Sequence, residues 1–261
     1  MTYWAVAITT APREGSTLKQ TVDSVLNADW VPMINAEPGT DLSAIKDYHL
    51  PTIVNKTRLG VWYNWKQAAK DCLAYMPDAV LLLQDDIVIH PETKSFVEGL
   101  LWPDNCGYIS LYTPRHYQQW YDRRPKPFGV YYQETASMWG ACALVFHPNV
   151  LEKLLDHPKA TNWLGVPPAD PSKRAAVMAA RRNNPALVQN SDTIIGAIIR
   201  RHLKRKMVYI NPSPAEHIAV NSSCGHKSNF DKRNAVYVAS HKLPLAQQVN
   251  WTKGQEIKRL S

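Results

Sequence analysis

The sequence predicts an α/β fold, a doubly wound and mainly parallel central sheet flanked by helices, from three observations. Short apolar runs alternate with amphipathic segments through the first half of the chain, the order expected when each strand is followed by a crossover helix. The run Ala79-Val80-Leu81-Leu82-Leu83 is wholly apolar, which marks a central strand buried on both faces, and it ends in Gln84-Asp85-Asp86. The chain's 261 residues suffice for one large domain of this kind, or for one with a small appendage.

Residues 3–9 read as the first strand. Thr17 opens a helix to Asn27, with Gln20 three residues later completing a capping-box pattern. Residues 31–35 and 52–54 read as strands, 61–75 as a helix and 79–83 as the buried strand. After His90-Pro91-Glu92, a helix is expected over 93–101 and a strand over 108–111. Residues 112–132, rich in Tyr, Trp, Arg, Lys and Pro, form a loop too long to be a plain connector. A strand over 138–146 and a helix over 149–155 follow, and 158–171 is irregular. The last organised unit is a helix over 191–206, whose Ile194, Ile195, Ile198, Ile199 and Leu203 cover one face, with a strand over 207–210 behind it. The organisation expected is one domain over 1–223 and a weakly periodic tail over 224–261 packed on it.

Formal charge is +8 and the pI about 9.3. The excess is clustered in Arg123-Arg124-Pro125-Lys126, Lys173-Arg174, Arg181-Arg182 and Arg200-Arg201-His202-Leu203-Lys204-Arg205-Lys206. Such clusters attract nucleic acid or an anionic membrane surface, and equally describe a solvated basic face. Cys72, Cys106, Cys142 and Cys224 lack any C-x-x-C spacing, so neither a zinc site nor a disulfide framework is indicated. A short N-terminal apolar stretch without a basic flank, and no apolar run of bilayer length, lead to the expectation of a soluble, cytoplasmic protein.

Asp85 and Asp86 would repel each other at a strand end unless a cation joins them to a ligand. A divalent metal carrying a diphosphate is the economical candidate, and a plain turn or helix cap the alternative. Asp192, in Ser191-Asp192-Thr193, is either part of an N-cap or a base that takes a proton from an acceptor hydroxyl. His217, after Pro212-Ser213-Pro214-Ala215-Glu216, is either a metal ligand or a hydrogen-bonding surface residue, with His226 the weaker candidate. Thr9-Thr10-Ala11-Pro12-Arg13 lies where a nucleotide would cross a parallel sheet, with Arg13 able to meet a phosphate. Asn55-Lys56-Thr57-Arg58-Leu59-Gly60 and the following Asn64 supply donors for uracil or diphosphate oxygens, or are ordinary turn chemistry.

Taken together, these segments resemble a glycosyltransferase of the GT-A fold. Gln84-Asp85-Asp86 is similar to that family's acidic metal motif, and Trp139-Gly140-Ala141 to its glycine-bearing strand beside the acceptor. Asn190-Ser191-Asp192 matches the family's x-E-D motif imperfectly, because Ser191 replaces the usual acid. Gln84-Asp85-Asp86-Ile87 and Glu216-His217-Ile218, with Asn221-Ser222-Ser223, are also similar to branching N-acetylglucosaminyltransferases. The resemblance implies an inverting transfer from a nucleoside diphosphate sugar, UDP before others, with Mn²⁺ or Mg²⁺ on Asp86, assisted by Asp85 and His217. It places Thr9, Thr10, Arg13, Asn55, Arg58, Gly60, Asn64, Gln84 and Asp85 around the donor, and makes Asp192 the base.

The acceptor expected is duplex DNA carrying 5-hydroxymethylpyrimidine. Arg115, Tyr117, Trp120, Arg123 and Arg124 of the 112–132 loop would supply phosphate contacts and stacking, beside Trp139 and Gly140. A surface glycan or lipid-linked saccharide would use the same core, with the basic patches on anionic lipid. A nucleic-acid-binding module without chemistry is the alternative of another class, and it has no need of Asp85 and Asp86. A nucleotidyltransferase would carry a Gly-rich phosphate loop, whereas residues 9–15 contain one Gly. Oligomeric state leaves no mark in the sequence.

Overall fold

Nine strands form one sheet in the computed structural model, which describes residues 1–119, 122–133, 138, 140–218, 235, 237–250 and 257–259. β1 (Trp4–Thr10) lies between β2 (Met33–Ala36) and β4 (Ala79–Gln84), parallel to both, and β3 (Thr52–Val54) closes that edge parallel to β2. On the other side of β4, β8 (Ala143–Phe146) runs antiparallel between β4 and β6 (Cys106–Ser110). β6 pairs in parallel with β9 (Lys206–Asn211), β9 antiparallel with β7 (Gly129–Gln133), and β7 in parallel with β11 (Lys258–Arg259). The sheet is thus mainly parallel, with β8, β7 and β11 as reversed members.

The apolar run of β4 is buried on both faces, as its composition requires. Leu81 and Leu83 pack on the side of α1 (Leu18–Asn27) and α3 (Thr93–Leu100), with Val22, Val25 and Val97. Val80 and Leu82 pack on the opposite side, with Trp65 of α2 (Gly60–Leu73), Leu151 of α5 (Pro148–Leu155) and Ile195 of α8 (Ser191–Ala197). Burial of each such side chain stabilises the fold by about 1.5–3 kcal/mol.

Several local expectations change. Thr17 does not cap α1: its Oγ1 donates to the Asp85 carbonyl at 2.7 Å, tying the β1–α1 loop to the end of β4. The basic helix expected over 191–206 stops earlier. After α8 the chain widens into a π-type turn, Ile198–His202, closed by the Leu203 amide on the Ile198 carbonyl at 2.9 Å, and the Lys206 amide then leaves the helix for the Asn105 carbonyl. The long aromatic loop is partly ordered by a helical turn, α4 (Arg115–Gln118), a bridge from Gln119 to Pro125, and β7.

Several elements lay hidden, among them a helical turn, α6 (Pro158–Thr161), in the stretch expected to be irregular. β5 (Ile87–Ile89) leaves β4 directly and pairs antiparallel with β10 (Ala215–His217), each too short to show a period. α7 (Pro171–Asn183) buries no residue and so has no apolar stripe to read. Of the segment 224–261, Ala239, Leu245, Val249 and Ile257 are buried in the α1-side core. The Leu245 amide donates to Glu92 Oε2 at 2.8 Å.

Candidate active site

Parallel pairing in the register Thr9 to Gln84 ends β1 and β4 side by side, and this sets the acids against the β1–α1 loop. The Asp85 amide donates to the Thr9 carbonyl at 3.1 Å. Thr10 Oγ1 donates to Asp85 Oδ2 at 2.5 Å, and Arg13 Nη2 donates to Asp85 Oδ1. Arg13 Nη1 donates to Asp86 Oδ2 at 3.1 Å, so one guanidinium spans both acids.

His217 reaches the same point from the far end of the sequence. β10 pairs with β5, the Ile218 amide donates to the Asp86 carbonyl at 2.9 Å, and His217 Nε2 stands 3.3 Å from Asp86 Oδ2. Burial raises the Asp85 pKa to about 6, against the opposing pull of Arg13. Burial works the same way on Asp86, but His217 and Arg13 outweigh it and hold that carboxyl below its usual range. Arg13 is likewise penalised by burial, and its two carboxylate partners more than restore its charge.

Among the described residues, no group of three or more His, Cys, Asp and Glu forms a ligand set. The pair Asp86–His217 fits a hard or borderline divalent cation nonetheless, because Asp86 Oδ1 is buried without a hydrogen-bond partner among the described residues. Both Asp85 oxygens are engaged by Thr10 and Arg13, and the residue is 1 % exposed.

The other residues expected around the donor lie on β1, at the ends of β3 and β4, and on the approach to α2 and its first turns. Thr9 Oγ1 donates to the Leu83 carbonyl at 3.1 Å, and Gln84 is half-buried. Asn64 Nδ2 donates to the Thr10 and Asn35 carbonyls at 3.4 and 3.3 Å, and Asn55 Nδ2 donates to Asn64 Oδ1 at 2.9 Å. Arg58 is exposed. Gly60, with φ +78°, opens α2 against the backbone of Ala186: a Cβ there would lie 2.7 Å from Ala186 Cα.

Sequence reasoning missed Glu37. Its buried carboxylate accepts the Leu59 amide at 2.8 Å and the Gly60 amide at 2.6 Å, anchoring the first turn of α2 beside the Thr10 loop. A lone Glu before Pro38-Gly39 reads as a surface turn, so the sequence carried no signal for it.

Asp192 lies in the first turn of α8, partly buried, after Asn190 in the left-handed region at φ 67°. It accepts the Thr193 amide at 2.7 Å, and the backbone of Gly140 likewise favours its charged form. Burial raises its pKa against both. Gly140, at φ +76°, packs so closely on Tyr112 that a Cβ would stand 2.9 Å from the ring, and the Tyr112 ring centroid is 6.1 Å from that of His217. Asp192 is thus linked to Asp86 through Gly140, Tyr112 and His217 as successive neighbours.

Of the residues expected at the acceptor, Arg115, Arg123 and Arg124 are exposed, with Arg124 Nε donating to Asp122 at 2.5 Å. Tyr117 is 3 % exposed and stacks on Tyr209 at 5.4 Å between centroids, inside the core. Trp120, Trp139 and His226 lie outside the described residues. The cluster Arg200 to Lys206 sits at the opposite end of the sheet from the acids. β9 runs in the direction of β4 and begins at Lys206, about 20 Å from the acids for a six-residue strand. No helix among the described residues is long and apolar enough to cross a membrane.

No protein-family model and no curated protein matches the sequence. Solved structures do resemble it. The chain is similar to GalNAc-T7, crystallised with UDP, GalNAc and Mn²⁺, with a TM-score of 0.53 and 11 % identity over 84 % of this chain and 44 % of that one. It is similar to S. aureus TarS 1–349, also solved in complex with UDP, with a TM-score of 0.51 and 11 % identity over 82 % of this chain and 59 % of that one. The chain therefore spans less than two thirds of either protein. The architecture they share with it is the GT-A fold of nucleotide-sugar glycosyltransferases.

Proposed function

We propose that the protein is a glycosyltransferase, moving a sugar from a nucleoside diphosphate donor, UDP before others, to an acceptor hydroxyl with inversion. The observation that carries this reading is the convergence of Arg13, Asp86 and His217 at the ends of β1 and β4, with Asp192 linked to them through Gly140 and Tyr112. Arg13 offers a fixed positive charge to the diphosphate oxygens. Asp86 and His217 would hold Mn²⁺ or Mg²⁺, which supplies Lewis-acid charge to the leaving diphosphate when bound. Asp192 takes the acceptor's hydroxyl proton as that oxygen bonds to the anomeric carbon and the carbon–phosphate-oxygen bond breaks, its electron pair leaving on the nucleotide.

For the acceptor we favour 5-hydroxymethylpyrimidine in duplex DNA. The loop bearing exposed Arg115, Arg123 and Arg124 leaves the end of β6 on the side of the sheet where the acids lie. α7, whose Lys173, Arg174 and Arg182 are exposed, leads into the backbone that covers Gly60 on that same side. These cations suit a phosphate backbone beside the crevice.

A donor screen with Mn²⁺ tests the reading: UDP-glucose, UDP-GlcNAc, UDP-galactose and GDP-mannose, each scored for hydrolysis and for transfer to hydroxymethylated DNA and to a glycan panel. Turnover of one donor is expected, with retention on DNA that falls steeply with salt. No turnover of any donor overturns the glycosyltransferase reading. Transfer to glycan alone, or binding only to anionic vesicles, replaces the acceptor and leaves the reaction.

A further inference from the structure

The carboxylates read above as the metal end of the crevice already hold a cation. Arg13 bonds Asp85 Oδ1 through one nitrogen and Asp86 Oδ2 through the other, with its own side chain 10 % exposed. Two buried polar atoms in this cluster have no hydrogen-bond partner among the described residues, Arg13 Nε and Asp86 Oδ1. A settled structural ion pair would satisfy both, because leaving a buried donor and acceptor unmade costs about 1–3 kcal/mol each. The same cluster provides two converging protein ligands, Asp86 and His217, where a six-coordinate cation needs further oxygens.

We propose that Arg13 is a resident counter-cation that makes divalent-metal binding conditional on the donor. Without a nucleotide, Arg13 holds both acids and competes with a metal for Asp86. A nucleoside diphosphate changes both sides of that competition. Its oxygens complete the coordination that Asp86 and His217 begin, and they give the guanidinium a second anionic partner, to which Arg13 turns as it releases Asp86. Metal and diphosphate then bind with positive coupling, and by reciprocity each raises the other's affinity by the same factor. The inference rests on the donor reading above and adds how that site is kept closed to free metal.

Mn²⁺ binding, read by electron paramagnetic resonance of the free ion and by calorimetry, tests it on the full chain with and without UDP. For the natural protein, Mn²⁺ alone is expected to bind weakly, and UDP to tighten it by about tenfold or more, within the usual range of such couplings. Arg13→Gln is expected to bind Mn²⁺ alone about tenfold more tightly than the natural protein and to lose most of the UDP dependence, whereas Arg13→Lys keeps it. Mn²⁺ affinity that UDP does not change in the natural protein overturns the inference, even should the Gln variant fail to fold. An Arg13→Gln protein whose Mn²⁺ affinity is unchanged overturns it too, and leaves the glycosyltransferase reading standing. Absence of Mn²⁺ binding by every form, with UDP present, overturns the metal-dependent reading and this inference with it.

Discussion

The backbone of Gly140 favours the charged form of the Asp192 carboxylate, which burial opposes. Gly140 packs against Tyr112, the Tyr112 ring lies against His217, and His217 stands beside Asp86. Asp192 and Asp86, the proposed base and the proposed metal ligand, lie 106 residues apart in sequence and are linked through a residue without a side chain.

Gly140→Ala therefore strains the site twice, through a Cβ 2.9 Å from the Tyr112 ring and through a φ of +76° that Ala disfavours. We expect a stability loss of about 1–3 kcal/mol. Transfer should fall by about tenfold or more while UDP affinity changes little, because the shift displaces Asp192 and not the donor loops. Thermal melting, UDP titration and single-turnover transfer separate these effects; equal losses of UDP binding and rate would contradict the assignment.

Asp192→Asn is expected to lower the transfer rate by about 10²–10⁴-fold and to spare donor binding, as removal of a general base does. The natural protein should show an acid limb in kcat/KM at a pH above the ordinary carboxylate value of about 3.9. The sign follows from burial: it raises the Asp192 pKa, the base works as the carboxylate, and the rate climbs as pH rises through that raised value. A profile flat down to the ordinary carboxylate range would remove Asp192 from the role.

How much of this was legible in the sequence depends on what each residue had to reveal. β4 announced itself because a strand buried on both faces reads as a continuous apolar run, and β1 and β2 because all their residues but Thr9, Thr10 and Asn35 are apolar. Asp85 and Asp86 stood out by following such a strand. Glu37, equally buried, did not, since its partners are backbone amides of Leu59 and Gly60 that no residue type discloses. Arg13's grip on both acids depends on the fold of the β1–α1 loop, which Thr17 fixes through a long-range bond to the Asp85 carbonyl. Tyr117 and Lys126 misled for the opposite reason: polar and aromatic residues in a Pro-rich stretch read as surface, yet the stretch folds back on β9 and buries them at 3 % and 7 % exposure.

Two glycines with positive φ separate backbone freedom from close approach. Gly15, at φ +68°, has open space where a Cβ would be, so Gly15→Ala should cost about 1 kcal/mol through the backbone alone. Gly60, at φ +78°, faces the Ala186 carbonyl carbon at 2.8 Å from a built Cβ, and backbone cannot step aside as a side-chain tip can. Gly60→Ala should cost about 3 kcal/mol or more, read as a lower urea midpoint at unchanged slope. Equal costs at the two positions would refute the close contact.

Lys126 tests the folding of the aromatic loop through pH. Its ammonium is buried beside the Tyr209 ring, with Nζ 3.2 Å from the Tyr209 hydroxyl, and burial pulls its pKa from 10.5 down to about 8. Below about 8 the group is charged in both folded and unfolded chains, and the folded state bears the full desolvation penalty. Between about 8 and 10.5 the unfolded chain binds more proton than the folded one, so stability rises with pH across that window and levels above it. Lys126→Met removes the penalty and keeps the aliphatic stem, so it should be more stable than the natural protein at pH 7 and lose that advantage as pH approaches 10.5. Urea unfolding of the two proteins in parallel gives the comparison. A difference that stays constant from pH 7 to pH 10 would mean that Lys126 reaches water, and that the loop does not fold back on β9 as described.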